Sequence, residues 1–283
     1  MSEKNKIQNG TLYLVATPIG NLDDLSARAL KVLSGVDFIA AEDTRNSLRL
    51  LSHFEIKKPL ISYHEHNKRE SGEEIAARLY RGESCALLTD AGMPAISDPG
   101  EDLVRLCATR GIPVTCVPGC CAAVTALALS GLSTSHFFFE GFLPTEKAER
   151  RERLAALASL TATAILYEAP HKLRKTLSDL RDALGEERRI ALCRELTKLN
   201  EEICRTTLRE AIALYAEKEP RGEYVLILEG GERKPEESPL CSLSPEAHVA
   251  HYERCGLGRM DAIKAAARDR GVSKSILYKE LQN

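Results

Sequence analysis

The sequence predicts an α/β protein made of two α/β units followed by a small helical tail. Three observations predict it. From Leu12 to Ser130, short apolar runs alternate with helical patterns, the signature of a mainly parallel sheet covered on both faces. A short linker, Gly131–Ser135, then leads into a second series of strands and helices. Finally, the Gly-, Pro-, Glu- and Ser-rich stretch from Gly230 to Leu243 reads as a linker and is followed only by helix signals. These breaks predict domains over residues 10–131, 136–231 and 244–283.

In the first unit, Leu12–Ala16 is an apolar strand. Leu25–Ser34 is a helix with Gly35 as its stop. Val36–Ala41 is a strand, and Thr44–Phe54 a helix capped by Asp43 or Thr44. Leu60–Tyr63 and Cys85–Thr89 are strands around a helix over Arg69–Arg81 that ends at Gly82. Glu101–Arg110 is a helix ending at Gly111, Pro113–Val117 a strand, and Gly119–Ser130 a small-residue helix.

The second unit reads as strand His136–Phe142, charged helix Thr145–Leu160, strand Thr163–Tyr167, helix Pro170–Leu184 and strand Arg189–Cys193. Ile203–Thr207 follows with no clear helix between, so this sheet is expected to be mixed. Helix Leu208–Glu217 and strand Tyr224–Glu229 close it. In the tail, Ser244-Pro245-Glu246 starts a helix with Pro at its first position. Met260–Arg270 is a second helix and Lys274–Leu281 a third, capped by Ser273 after the Gly271 turn. This is a helix-turn-helix form.

Composition excludes several classes. With 39 Lys and Arg against 41 Asp and Glu, the net charge is −2, so any nucleic-acid surface must be local. No apolar run reaches membrane-spanning length, and the polar start MSEKNKIQNG lacks a signal-peptide core. The nine cysteines form no C-x-x-C pair, and Cys85, Cys107, Cys116 and Cys193 lie in apolar patterns. Reduced, buried thiols and a cytoplasmic location are therefore expected. There is no G-x-x-x-x-G-K-[ST] and no G-x-G-x-x-G, which removes the common triphosphate and dinucleotide loops.

Four strand-end segments carry the chemistry. They are TPIGNL (Thr17–Leu22), AEDTR (Ala41–Arg45), TDAGMPAISDPG (Thr89–Gly100) and VPGCCAA (Val117–Ala123). In three of them a strand stops, Gly or Pro lets the backbone approach a ligand, and a small-residue helix starts. Such loops read a ligand through backbone N–H and C=O groups, which suits adenine and amino-acid moieties. Together they predict one site at one sheet edge.

These segments, with FFFEGFLP, YEAPHKL and RELTK, resemble the tetrapyrrole-methylase-like class of S-adenosylmethionine methyltransferases. Within it, nearly the whole chain is similar to the ribosomal RNA small subunit methyltransferase I family. The resemblance implies two α/β domains with S-adenosyl-L-methionine in the cleft between them. It implies 2′-O-methylation of a cytidine in 16S rRNA of the small ribosomal subunit, no metal, no membrane and a homodimer. It places the cofactor against Pro18, Asp90, Ala91, Gly92, Met93, Ile96, Ser97, Pro118, Gly119, Cys121, Ala122 and Tyr167. Asn21 and AEDTR are expected to face the incoming ribose. The chain departs from the family pattern at Met93 and Ala95, where Thr and Gly are usual, and at Cys120-Cys121, where Pro-Ser is usual. A thiol at Cys121 is a weaker donor than the hydroxyl it replaces.

Methyl transfer to a ribose needs in-line alignment and removal of one proton. Glu42-Asp43-Thr44-Arg45, Glu168 with His171, and Arg194-Glu195 with Lys198 supply candidate groups. An acid at Asp43 or Glu195 is the expected base, with Arg45 and Lys198 orienting ribose or phosphate and His171 as a further candidate. Asp43 as a helix cap and Glu195–Lys198 as a surface pair are the structural alternatives. For RNA, Lys147, Arg150 and Arg151 lie at a helix start diluted by three Glu. The tail from Arg259 carries six basic residues, including Arg268, Arg270, Lys274 and Lys279, against three acidic ones. His248 and His251 stand one helical turn apart and are expected on a surface helix. Two other readings compete: a methyltransferase of the same class acting on a tetrapyrrole or other small molecule, and a non-catalytic ribosome-assembly factor.

Overall fold

The computed structural model describes residues 6–231 and 239–282. Half of the linker expected over Gly230–Leu243, residues 232–238, therefore lies outside the described residues. The chain forms two compact units, 1–230 and 231–283.

The first unit contains two five-stranded sheets. Strands β1 (Leu12–Val15), β2 (Phe38–Ala41), β3 (Leu60–Ser62), β4 (Cys85–Leu88) and β5 (Val114–Val117) form the first, in the order β3-β2-β4-β1-β5. Every pairing in it is parallel. Side chains of a strand alternate between faces, and this sheet is apolar on both. Leu12, Phe38, Ala40, Cys85 and Leu87 pack with Ile75 and Leu79 of α3 (Lys68–Tyr80) and Leu103 of α4 (Gly100–Thr109). Tyr13, Val15, Ile39, Ala86 and Leu88 pack with Val32 and Leu33 of α1 (Ala27–Gly35) and Leu51 of α2 (Thr44–His53). All strands run the same way, so the carboxyl ends of β1, β2, β4 and β5 bring the four loop motifs to one edge.

Local chemistry shifts two helix starts from their expected places. The Ser26 hydroxyl accepts from the Ala29 amide at 3.0 Å, so α1 begins at Ala27, after a 3-10 turn over Leu22–Asp24. Asn21 caps that turn, its Oδ1 accepting from the Asp23 amide at 3.1 Å. Gly35 is the last residue of α1 rather than a left-handed stop. A Cβ there would meet Ile7 Cγ1 at 2.6 Å, so close approach is what requires glycine. Helix α5 (Ala122–Leu129) starts three residues after Gly119, because Cys121 is extended (φ −145) and stands at its N-cap.

The second sheet orders β6 (Phe137–Phe142), β7 (Thr163–Glu168), β10 (Tyr224–Leu228), β8 (Arg189–Arg194) and β9 (Glu202–Thr207) as β6-β7-β10-β8-β9. It is mixed: β6 and β7 are parallel and the other pairs antiparallel. Helices α6 (Lys147–Ser159), α7 (Pro170–Leu184) and α8 (Leu208–Glu217) cover one face through Leu157, Leu173, Leu177, Leu180, Leu208 and Ala211. The other face receives α5, whose Ala123, Ala126 and Leu127 pack on Ile165, Ala191, Cys193, Val225 and Ile227. A helix that follows the first sheet in sequence thus belongs to the second sheet by packing.

The second unit holds α9 (Pro245–Arg254), α10 (Arg259–Asp269) and α11 (Lys274–Glu280) around Val249, Ala262, Ile263, Ala266, Ala267 and Leu277. His248, expected on a surface, is fully buried. Its Nε2 lies 3.3 Å from Asp269 Oδ2, and Arg270 Nε donates to its Nδ1 at 3.1 Å. The stacked Tyr252 donates its hydroxyl to the same Asp269 oxygen at 2.5 Å. Arg270 also donates to the Leu243 carbonyl, so this expected RNA contact ties its own unit together. Arg268, Lys274 and Lys279 are exposed. Among the described residues no helix is long and apolar enough to cross a membrane.

Arg150 likewise turns inward. It is 8% exposed and donates to Asp179 Oδ2 at 2.7 Å, Thr176 Oγ1 at 2.8 Å and the Pro144 carbonyl at 3.2 Å. Its guanidinium is committed to holding α6 on α7, whereas Arg151 is exposed. Arg150→Met leaves a half-buried carboxylate without its cation and should cost about 3 kcal/mol in denaturant unfolding. Arg151→Met should leave the midpoint unchanged.

Candidate active site

Two loops from the first sheet are joined at their base. Thr17 and Gly92 form an isolated antiparallel bridge, with the Thr17 amide donating to the Gly92 carbonyl at 2.9 Å and the Gly92 amide returning a bond at 3.1 Å. Gly92 has φ +87, a conformation that costs glycine little. Beyond the bridge, Ala95 (φ +68) and Ser97 (φ +58) are left-handed without being glycine. The Asp98 carboxylate holds that turn, accepting from the Ala95 amide at 2.9 Å and the Gly100 amide at 2.7 Å. Ala95 stands at a left-handed position, which glycine would adopt without strain.

A second strained turn comes from the second sheet. Glu195 (φ +52) and Thr197 (φ +66) bracket Leu196. Glu195 Oε1 accepts from the Glu223 amide and from Lys198 Nζ, each at 2.9 Å, and Lys198 also reaches Glu223 Oε2 at 2.9 Å. These two loops hold four of the five left-handed non-glycine residues among the described residues. Strain of this kind persists where surrounding structure over-determines it, and it concentrates at functional sites. The opening turn packs on the same place: a Cβ on Gly20 would meet Lys198 Cγ at 2.4 Å and the Leu196 carbonyl at 2.9 Å.

A cavity of about 570 Å³ lies between the ends of the two sheets. One side is Glu42, Thr89–Met93 and Ile96–Asp98; the other is Tyr167–His171, Cys193, Leu196, Lys198 and Glu223–Val225, with Ile19, Cys121, Ala122 and Phe142 also in the wall. Its size is that of a cofactor site. A smaller cavity of about 370 Å³ shares Thr89 and Asp90 with it, and is otherwise lined by Thr17, Pro18, Leu22 and the Asn46, Ser47, Arg49, Leu50 and His53 side of α2.

Most residues expected at a cofactor do converge: Asp90, Ala91, Gly92, Met93, Ile96, Ser97, Cys121, Ala122 and Tyr167 all line the larger cavity. Pro18 lies on the smaller one. Pro118 and Gly119 are in neither wall, and Gly119 instead lets the loop pass Ala16, whose Cβ would be 2.9 Å from a Cβ at that position. Of the candidate catalytic groups, Lys198 and His171 face the larger cavity, and Glu195 stands behind Lys198. Asp43 and Arg45 satisfy each other outside it. Asp43 Oδ1 caps α2, accepting from the Arg45 amide at 2.8 Å, and its Oδ2 pairs with the Arg45 guanidinium at 2.8 Å. Their place at the cavity is taken by Glu42, one residue earlier. Leu196, Glu223, Tyr224 and Val225 carry no site signal in the sequence, because Leu196 and Val225 are apolar like any core residue and Glu223–Val225 stand at the start of a strand, whereas the loop motifs follow strand ends.

The wall is electrostatically uneven. Burial pushes the Glu42 carboxyl above its usual range, only partly offset by the hydrogen bond from Thr89 Oγ1 at 3.1 Å and compounded by the Asp90 charge. Burial also raises Asp98, and lifts the Tyr167 hydroxyl to about 12 and the Cys193 thiol to about 11. At Glu195 burial acts upward, but the Glu223 amide and Lys198 outweigh it and hold the carboxyl below its ordinary value. Lys198 is driven the other way: burial disfavours its charge, and the two glutamates more than restore it. Thr176 donates to Glu168 Oε2 and the Ala169 amide to its Oε1 at 2.8 Å, which leaves that carboxylate as a brace.

The fold and this site define the class. Residues 11–212 match the model of the tetrapyrrole (corrin/porphyrin) methylases. A uroporphyrin-III-C-methyltransferase from Thermus thermophilus superposes with a TM-score of 0.56 at 22% identity, over 78% of this chain and 94% of that one. Closer relatives are ribosomal RNA small subunit methyltransferase I of Halalkalibacterium halodurans, 50% identical over 98% of this chain and 96% of its own, and that of Bacillus subtilis, 46% identical over the same shares. The chain belongs to the ribosomal RNA small subunit methyltransferase I family of the tetrapyrrole methylases.

Gly20 tests the contact on which the site depends. Gly20→Ala drives a methyl group into the Leu196–Lys198 turn and should lower stability by about 1–3 kcal/mol in denaturant unfolding. An unchanged midpoint would show that the two loops are not locked together.

Proposed function

We propose that the protein transfers a methyl group from S-adenosyl-L-methionine to the 2′-hydroxyl of a cytidine in 16S rRNA of the small ribosomal subunit. The observation that carries this is the cavity itself, built from strand-end loops of both sheets in a chain of this family. Its donor set suits the cofactor. Ile96, Leu196, Val225 and Tyr167 offer apolar surface for an adenine, the backbone of 90–97 offers polar groups, and Glu42 and Asp90 place negative charge where a cation would rest. When bound, the cofactor supplies a methyl on a sulfonium, so its leaving group is already cationic.

The chain's own tasks are to align the acceptor, exclude water and take one proton. Glu42 is the group for the proton. It lines the cavity, is positioned by Thr89, and is made more basic by burial. Lys198, fixed by Glu195 and Glu223, is a cation that orients the acceptor. Tyr167, neutral up to high pH, packs edge-on against Phe139 and Phe142 and closes one wall.

Exposed Lys147, Arg151, Arg268, Lys274 and Lys279 supply local charge for rRNA. The protein works in the cytoplasm as a homodimer, and the edge strand β6, where Phe137, Phe138 and Phe142 are exposed, supports the pairing of two copies.

Labelled S-adenosylmethionine with small subunits from a strain lacking this protein tests the activity. Label should appear at one ribose of 16S rRNA, and absence of label despite cofactor binding would refute the reading. Glu42→Gln should lower the rate about 100-fold or more with cofactor affinity retained. Because the carboxylate form accepts the proton, the wild-type rate should rise with pH through a value above the ordinary glutamate range, and the variant should lose that limb.

A chain ending at Gly231 should bind subunits more weakly and with a shallower salt dependence, at unchanged cofactor affinity. Unfolding of the shortened protein would instead make the tail structural.

A further inference from the structure

The smaller cavity adjoins the larger one at Thr89 and Asp90, which line both. Its three walls differ in chemistry. Pro18, Leu22 and Leu50 are apolar, and Leu22 is 42% exposed. Asn46, Arg49, Leu50 and His53 stand at i, i+3, i+4 and i+7 and therefore share one face of α2. Asn46 Nδ2 donates to Asp90 Oδ2 at 3.1 Å, which fixes the carboxylate at the seam between the cavities.

The outer rim is cationic. The Arg49 side chain is exposed and makes no ion pair or hydrogen bond among the described residues, and the exposed His53 stands edge-on to the Phe54 ring. Arg49 differs in this from Arg45, one turn earlier, which is committed to Asp43. An unpaired guanidinium over an apolar floor, next to a polar seam, matches a nucleotide: phosphate outside, base face inside, ribose at the junction.

We propose that this cavity seats the acceptor nucleotide, unstacked from its strand, with its phosphate on Arg49 and its ribose at the Thr89–Asp90 seam. The inference rests on the rRNA reading given above and adds the place of the acceptor. Arg49 is a binding residue, and Asn46 a positioning residue that acts through Asp90.

The test uses full-length protein and small ribosomal subunits lacking the modification. Subunit affinity is measured at several salt concentrations for wild type, Arg49→Ala, Arg49→Glu and Arg49→Lys, with S-adenosylhomocysteine affinity and unfolding midpoint recorded for each. Arg49→Ala should weaken subunit binding by about 10-fold, Arg49→Glu should weaken it further, and Arg49→Lys should recover most of it. The slope of log affinity against log salt should fall by about 0.7 in Arg49→Ala, as for one lost single-strand phosphate contact. S-adenosylhomocysteine affinity and the midpoint should not move. Equal subunit affinity and slope in all four proteins would overturn the inference while leaving the activity standing. Subunit binding that depends on Arg49, without methyl transfer by wild type, would support the seat and refute the proposed activity.

Discussion

Helix α5 leaves the first sheet after Val117 and buries Ala123, Ala126 and Leu127 against Ile165, Ala191, Val225 and Ile227 of the second. The site depends on that contact. The two sheets share no strand pairing, so what relates their carboxyl-end loops is a small-residue helix that permits close approach. Leu127 contributes about 2 kcal/mol by burial, and the alanines let the helix lie close to the sheet. With α5 in place, its first turn at Cys121 and Ala122 becomes part of the cavity wall. The Gly20 contact with the Leu196–Lys198 turn closes the same seam from the other side.

Strain and charge are concentrated along that seam. Four left-handed residues, Ala95, Ser97, Glu195 and Thr197, are held by carboxylates that accept two bonds each from neighbouring groups or by the turn those bonds create. The cost, of order 1–3 kcal/mol per residue, is met by the well-packed sheets beneath. The benefit is rigid placement of backbone groups and of Lys198. Glu42, by contrast, is half-buried beside Asp90 and carries a raised pKa, as suits a group that has to exchange a proton.

Much of the architecture was legible in the sequence because short apolar runs and capping are local signals. Asp43, Ser244 and Ser273 cap helices by accepting from nearby amides. The parallel first sheet and mixed second sheet followed from whether a helix separates successive strands. The loops rich in Gly and Pro pointed to eight of the residues that line the larger cavity, and the family resemblance added Tyr167. What could not be read was tertiary: that α5 would pack on the second sheet, that Arg150 and His248 would turn inward, and that Asp43 would point away from the cavity while Glu42 lines it. Charge and residue type were the same in either case; burial decided the role. Val225 and Leu196 were invisible for a related reason, since an apolar residue lining a ligand wall looks like any core residue.

A crystal structure with S-adenosylhomocysteine and a short RNA bearing the acceptor nucleotide tests the placement of cofactor and acceptor. The cofactor should lie between the 90–97 loop, Cys121–Ala122 and the Leu196–Val225 wall, with the acceptor ribose reaching it past Thr89 and Asp90 from the α2 side. A cofactor bound anywhere else, or an acceptor entering without contact to α2 or Asp90, would contradict that placement.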